Sequence, residues 1–129
     1  MSNPKVSYWL DLADYDIETA NVMLDGRRYL YVGFMCQQVI EKSLKAAICS
    51  ISDEFPPYTH NLLNLAEKAG LLEKFSDDHA GLLSRLNPLN IEARYPSTKD
   101  VLAKSLDLKT CRTMIDETKE LLQWIKQLL

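Results

Sequence analysis

The sequence predicts an all-α protein, built as an up-and-down bundle of four main helices whose third position is split into two shorter ones. Three observations lead to this class. Apolar residues recur every three or four positions along most of the chain, which is the helical period. The 129 residues include only 4 Gly and 5 Pro, too few for a turn-rich β fold. The segments between helices are short, and helices joined by short loops usually pack antiparallel.

The first helix is marked by one apolar stripe whose members follow at steps of four, three, four, three and four residues. They are Val6, Leu10, Ala13, Ile17, Ala20 and Leu24. Pro4 suits the start of this helix and Gly26 its end. We interpret the acidic residues on its flanks as a solvent-exposed face. They are Asp11, Asp14, Asp16, Glu18 and Asp25.

The second helix, from about Tyr29 to Ser50, carries two lines of side chains. The main apolar side, which we expect to be buried, consists of Val32, Cys36, Val39, Ile40, Ser43, Ala46 and Ala47. A second line lies roughly opposite and consists of Phe34, Gln38, Glu41 and Lys45. It is either a solvent-exposed face with a Glu41–Lys45 ion pair or a polar row at a subunit interface or ligand groove. Phe34 favours the second interpretation, because its ring would otherwise be left in water.

Capping residues mark the remaining helices. Thr59 is expected to cap a short third helix that ends at Gly70, and Ser76 is expected to cap the next helix, which Pro88 perturbs. The last helix begins between residues 100 and 108 and runs to the end of the chain. We expect residues 1–129 to form a single domain.

This topology brings remote segments to one end of the bundle. Lys45 lies about 8 Å below the end of the second helix, at 1.5 Å per residue. His60 begins the third helix at that end, and "ARYP" returns to it with Arg94 and Tyr95. These four residues are the candidate ligand-binding site, because an imidazole or guanidinium binds phosphate and a tyrosine ring stacks on a base. The alternative for each is a structural role, with His60 closing the loop and Tyr95 packing beneath Pro96.

Composition excludes several classes of function. The net charge of −3 and pI near 5.3 argue against a DNA-binding protein, which would need clustered Lys and Arg. Three widely spaced cysteines are expected to be reduced thiols in a cytoplasmic protein. No apolar run reaches the ~18 residues of a membrane span, so no membrane partner is expected. We assign no catalytic residue, metal or cofactor, since no metal-ligand spacing, glycine-framed nucleophile or Walker-type loop occurs.

Three short motifs, taken in order, resemble the HEPN domain family of prokaryotic helical proteins. They are "QQVIEKSLKA" in the second helix, "THNL" at the start of the third and "ARYP" before the last. The resemblance covers nearly the whole chain. It implies a four- to five-helix bundle that is commonly a homodimer and is often encoded beside a small nucleotidyltransferase in toxin–antitoxin-like pairs.

Many members of that family are ribonucleases that use an Arg and a His with four to six residues between them. The nearest spacing here is Lys74 with His79, and lysine lacks the planar fork of arginine. The resemblance therefore points to the branch with a Gln, Glu, Lys pattern. We expect a dimeric interaction or nucleotide-binding module that partners a small nucleotidyltransferase and takes a nucleotide or RNA ligand. The alternatives are a metal-independent ribonuclease with an atypical site and a purely structural helical protein that binds a partner.

Overall fold

Six α-helices and one 3₁₀ helix occur in residues 3–92 and 106–129, the part of the chain that the computed structural model describes. In chain order they are α1 (Pro4–Asp25), α2 (Tyr29–Ile51), α3 (Leu62–Lys68), the 3₁₀ helix η1 (Leu72–Lys74), α4 (Asp77–Leu86), α5 (Leu89–Glu92) and α6 (Leu108–Leu128). These residues contain no strand, and the predicted all-α bundle is confirmed. None of their helices is both long and apolar enough to cross a membrane.

Helix α2 occupies the centre of the bundle. Helix α1 forms the most extensive packing surface with it, α6 packs on both, and the short helices α3, α4 and α5 cover the rest of α2. The predicted apolar side of α2 is buried, and so are Leu44 and Ile48 outside that side. Burial on several faces makes α2 the helix on which the core is built. The split third position predicted from the sequence corresponds to α3, η1, α4 and α5.

The start of α1 is fixed to the end of α2. The Asn3 side chain caps α1 by accepting from the backbone N–H of Lys5 at 2.9 Å and of Val6 at 3.4 Å. Its amide nitrogen donates to the Cys49 carbonyl oxygen at 3.2 Å. Pro4 takes the first helical position, as expected. One residue therefore both begins α1 and sets its antiparallel arrangement against α2.

Helix α1 ends immediately before Gly26, as the sequence predicts. Gly26 has an ordinary φ of −82°, whereas Arg27 takes the left-handed conformation with φ 59°. The Arg28 N–H donates to the Met23 carbonyl at 2.8 Å and the Arg27 N–H to that of Leu24 at 3.0 Å. These bonds satisfy the carbonyls at the end of α1. The left-handed position of this turn is thus occupied by a residue with a Cβ atom, for which this backbone conformation is costly.

Caps of the shorter helices agree with the sequence in two of three cases. Ser76 caps α4 by accepting from the His79 N–H at 3.1 Å, and Gly70 ends α3 with φ 73°. Thr59 as the cap of α3 is wrong, because the Asn61 side chain accepts from the N–H groups of Leu63 and Asn64. The Thr59 hydroxyl instead accepts from the Asn61 N–H at 3.1 Å. Thr59 therefore holds the backbone of Asn61, the residue that caps α3.

The acidic flank of α1 is not wholly exposed. Asp16 is buried and forms an ion pair with Lys42 of α2. Asp14 pairs with Lys126 of α6 at 2.6 Å. The solvent-exposed interpretation was therefore wrong for Asp16, which links α1 to α2. The other three acidic residues, Asp11, Glu18 and Asp25, are exposed.

All three cysteines are free and buried. Burial raises the pKa of Cys36 from 9.0 to about 12 and that of Cys111 from 9.0 to about 11. Burial also raises the pKa of Cys49. The thiols therefore stay protonated and pack as small apolar side chains.

Replacing Arg27 by Gly is expected to stabilise the fold. Left-handed backbone costs a residue with a Cβ roughly 1–2 kcal/mol, and Gly adds about 0.5–1 kcal/mol of backbone entropy to the unfolded chain. The free energy of unfolding should rise by about 0.5–1 kcal/mol in urea titrations. The matched control is Arg27→Ala, which removes the same charge and keeps the Cβ. Equal stability of the two variants would contradict left-handed strain at this position.

Candidate binding site at the end of the bundle

A row of polar side chains on α2 is buried within the single chain. Gln37 is fully buried, Glu41 is 3% exposed and Lys45 is 7% exposed. A solvent-exposed face, the simpler expectation for Glu41 and Lys45, is therefore wrong. The other two members of the predicted line, Phe34 and Gln38, are half-buried. Since α2 is central to the bundle, its polar row lies among neighbouring elements and needs internal partners.

The Glu41 carboxylate is the acceptor around which the site is arranged. Its Oε1 lies 2.8 Å from His60 Nδ1 and accepts from Gln37 Nε2 at 3.3 Å. Its Oε2 accepts from Lys45 Nζ at 3.4 Å. A buried carboxylate needs such donors, because its desolvation is otherwise too costly. The contact with His60 favours a proton on Nδ1 and leaves Nε2 as the atom available to a ligand.

Two amides extend this network to neighbouring elements. Gln37 Nε2 also donates to the His60 carbonyl oxygen at 3.1 Å, so Gln37 supports both the backbone and the side-chain partner of His60. Gln38 Nε2 donates to Gln37 Oε1 at 2.8 Å and to Asn90 Oδ1 of α5 at 3.4 Å. The network thus joins α2, α5 and the segment before α3. It fixes His60 from two directions.

Lys45 and His60 differ in what they present to solvent. Lys45 Nζ lies 5.2 Å from the centre of the Trp9 ring, a cation–π contact that adds to its pairing with Glu41. Its charge is therefore used inside the protein. The His60 side chain is 55% exposed, and Nε2 has no partner within the described residues. A ligand that reaches this end of the bundle meets His60 before Lys45.

A small apolar cleft of about 220 Å³ opens between the start of α1 and the segment after α2. Its lining residues are Pro4, Lys5, Tyr8, Trp9, Cys49, Phe55 and Pro56. Lys5 Nζ lies 5.3 Å from the centre of the Phe55 ring and donates to the Asp53 carbonyl oxygen at 2.8 Å. Trp9 belongs both to this cleft and to the Lys45 contact. The cleft has the size and aromatic walls to take one flat ring.

The four predicted ligand-binding residues divide into two pairs. Lys45 and His60 come together on the two oxygens of Glu41. Arg94 and Tyr95 lie outside the described residues. Sequence reasoning missed Gln37 and Trp9. Gln37 stands one helical turn before Glu41, which is a signal that could have identified it, whereas no local pattern connects Trp9 to Lys45.

His79 belongs to a different environment from that of His60. It is buried on α4, where its ring lies 4.9 Å from Trp124 and 6.0 Å from Phe75 between centres. Its Nε2 contacts Glu120 of α6 at 2.9 Å. Lys74, the residue at motif-like spacing from it, is exposed at the end of η1. These contacts make His79 a packing residue between α4 and α6.

Metal ligation finds no support among residues 3–92 and 106–129, which contain no group of three His, Cys, Asp or Glu side chains arranged to hold an ion. The described site therefore consists of an imidazole fixed by a buried carboxylate beside an aromatic cleft. Such a site can bind an anion or a ring, and its histidine can accept or donate a proton. The protein is therefore, in broad class, an all-α bundle with a polar site at one end.

The chain belongs to the HEPN domain family, whose model matches residues 6–128. Its fold is similar to the crystal structure of TT1696 from Thermus thermophilus, with a TM-score of 0.79 at 22% sequence identity. The similarity covers 97% of this chain and 98% of that one. Comparison with curated proteins gives no match.

Replacing Glu41 by Gln should destabilise the protein by about 3 kcal/mol, because Lys45 is then left buried without its counterion. The measurement is the free energy of unfolding in urea. Glu67→Gln, an exposed change on α3, is the matched control and should alter stability by less than about 0.5 kcal/mol. Similar losses in the two variants would argue against a buried Glu41–Lys45 pair.

Proposed function

We propose that this HEPN domain is a non-catalytic, dimeric module that binds a nucleotide or a nucleotide-bearing group at the end of the bundle formed by Asn3, the end of α2 and His60. In this proposal it partners a small nucleotidyltransferase in a toxin–antitoxin-like pair. The observation that carries the proposal is the Glu41–His60 contact of 2.8 Å, with the His60 ring half-exposed. In its doubly protonated form, the imidazole donates from Nδ1 to Glu41 and can donate from Nε2 to a phosphate oxygen.

The neighbouring cleft supports a nucleotide as the ligand. Tyr8, Trp9 and Phe55 give it aromatic walls, and base–aromatic stacking contributes roughly 1–3 kcal/mol per base. Lys5 stands at the same cleft with an exposed side chain. Because Glu41 neutralises Lys45, the phosphate contacts fall to His60 and Lys5 in this proposal. Arg94 and Tyr95 remain predicted members of the same site.

Exposed aromatic residues at this end support binding to a macromolecular partner. Phe55 is 83% exposed and Tyr58 is 93% exposed, and both follow α2 in the segment that leads to His60. Large apolar side chains left in water mark interaction surfaces. The dimer and the nucleotidyltransferase rest on the resemblance to family members, since a single chain carries no subunit contact. A purely structural partner-binding role would use this surface without any nucleotide.

Isothermal titration with ATP and other nucleotides tests the ligand. The unmodified chain should bind, and His60→Ala should weaken binding by about ten-fold through loss of one hydrogen bond to a charged group. Asn64→Ala, exposed on α3, is the control and should leave the affinity unchanged. If no heat of binding is detected at millimolar nucleotide, the nucleotide-binding proposal is wrong and the purely structural role remains.

A metal-independent ribonuclease is the second candidate, and one specific observation favours it. A histidine whose Nδ1 is fixed by a carboxylate is also the arrangement used in general acid–base catalysis. The proposed non-catalytic module should leave single- and double-stranded RNA intact over hours. Cleavage that disappears in His60→Ala and persists in Asn64→Ala would instead establish the enzyme. Any cleavage insensitive to His60→Ala would point to a contaminating nuclease.

A further inference from the structure

Helix α1 carries a second apolar row on its solvent side. Its members follow at steps of four, three, four and three residues and are Tyr8, Leu12, Tyr15, Thr19 and Val22. Tyr8, Tyr15 and Val22 are 59%, 68% and 63% exposed, while Leu12 and Thr19 are half-buried. The buried stripe of α1 lies on the opposite side. We call these five residues the outer row.

The spacing of the outer row is that of a surface made to pack against another helix. Alternating steps of four and three residues form the seam of paired helices. The internal packing of the described residues leaves this seam open, although two tyrosines and a valine on one line cost free energy when left in water. Tyrosine is also among the residues most enriched at the energetic centres of interfaces. The outer row is therefore a surface for a partner helix.

The charges beside the outer row identify the chemistry of that partner. Asp11, Glu18 and Asp25 stand three residues after Tyr8, Tyr15 and Val22, and they repeat at seven-residue intervals. All three are exposed, and none has an ion-pair partner within the part of the chain that the structure describes. Asp14 and Asp16, in contrast, pair with lysines of α6 and α2. An unbalanced acidic edge thus follows the apolar seam along its whole length.

This acidic edge disfavours a second copy of the chain as the occupant. Two copies of α1 packed antiparallel would bring the two acidic edges together, and like charges repel across helix pairs. A parallel arrangement offers one cation, because Lys5 is the single basic residue of α1. One ammonium group in the first turn of α1 cannot pair with three carboxylates that are spread from Asp11 to Asp25. Neither arrangement balances three carboxylates.

We propose that the outer row of α1 docks an amphipathic helix of another protein, whose apolar stripe is flanked by Lys or Arg. The partner's apolar residues cover Tyr8, Tyr15 and Val22, and its basic residues pair with Asp11, Glu18 and Asp25. Tyr8 also lines the cleft beside the His60 site, whereas Leu12, Tyr15, Thr19 and Val22 do not line that cleft. Binding of the partner helix does not require a nucleotide. Charge complementarity sets both the identity and the register of the partner.

The proposal is tested by measuring, with fluorescence anisotropy, how tightly two synthetic helical peptides bind to the full chain. Both carry the same heptad-spaced leucines, and their flanks carry either lysines or glutamates. The lysine peptide should bind at least about ten-fold more tightly than the glutamate peptide, and Tyr15→Ser should weaken its binding at least about ten-fold. Tyr31→Ser, a change of another exposed tyrosine at the start of α2, is the matched control and should have no effect.

Charge reversal decides whether the acidic edge selects the partner. The triple variant D11K/E18K/D25K should prefer the glutamate peptide. If that variant does not fold, the salt dependence of lysine-peptide binding to the unmodified chain replaces it, and this binding must weaken as salt rises. Equal binding of both peptides, or none at millimolar peptide, would overturn the proposal. A fall in the solution mass of the chain caused by Tyr15→Glu would also overturn it, because the occupant would then be a second copy.

Discussion

A carboxylate in the interior of a helical bundle must be surrounded by donors, and Glu41 meets this requirement with three residues from two parts of the chain. Gln37 and Lys45 come from the turns of α2 on either side, and His60 comes from the segment before α3. The need to neutralise one buried negative charge therefore fixes where that segment crosses α2. The position of the aromatic cleft depends on this crossing as well, because Phe55 and Pro56 of the same segment line the cleft.

The contacts of Glu41 also divide roles between the two basic residues, Lys45 and His60, that the sequence brings to this end. Lys45 gives its charge to Glu41 and the Trp9 ring, and it remains buried. His60 receives its orientation from Glu41, and its side chain is half-exposed. A single carboxylate thus holds both the buried Lys45 and the half-exposed His60, which is the proposed ligand contact. In the proposed function, this division lets a pocket with an acidic residue at its base take an anion.

Helix α1 serves the molecule on both of its sides. Its inner stripe packs against α2 and α6, and its ends are tied by Asn3 and by the turn at Arg27. On its outer side, Tyr8, Tyr15 and Val22 of the outer row and the three residues of the acidic edge are exposed. Asp14 and Asp16 belong to the inner side of α1, because Asp14 pairs with a lysine of α6 and Asp16 with a lysine of α2. Within residues 3–92 and 106–129, the α1 carboxylates without an ion-pair partner are those of Asp11, Glu18 and Asp25, beside the exposed members of the outer row.

Much of the fold could be predicted from local pattern. The inner stripe of α1, the apolar side of α2, the cap at Ser76 and the stop at Gly70 each follow from spacing or from backbone preference within a few residues. Thr59 and Asn61 show the limit of such reasoning. Both carry a side-chain acceptor near the start of α3, and the choice of Asn61 depends on where the backbone actually enters the helix.

The sequence by itself determined the class, the helices and the resemblance that the family match confirms over residues 6–128. Only the tertiary structure decided that Glu41, Lys45 and Asp16 are buried, and that Gln37 and Trp9 belong to the site. The physical reason is that periodicity records which residues share a face, whereas burial depends on how many neighbours cover that face. A central helix buries polar residues that an outer helix with the same pattern would leave in water.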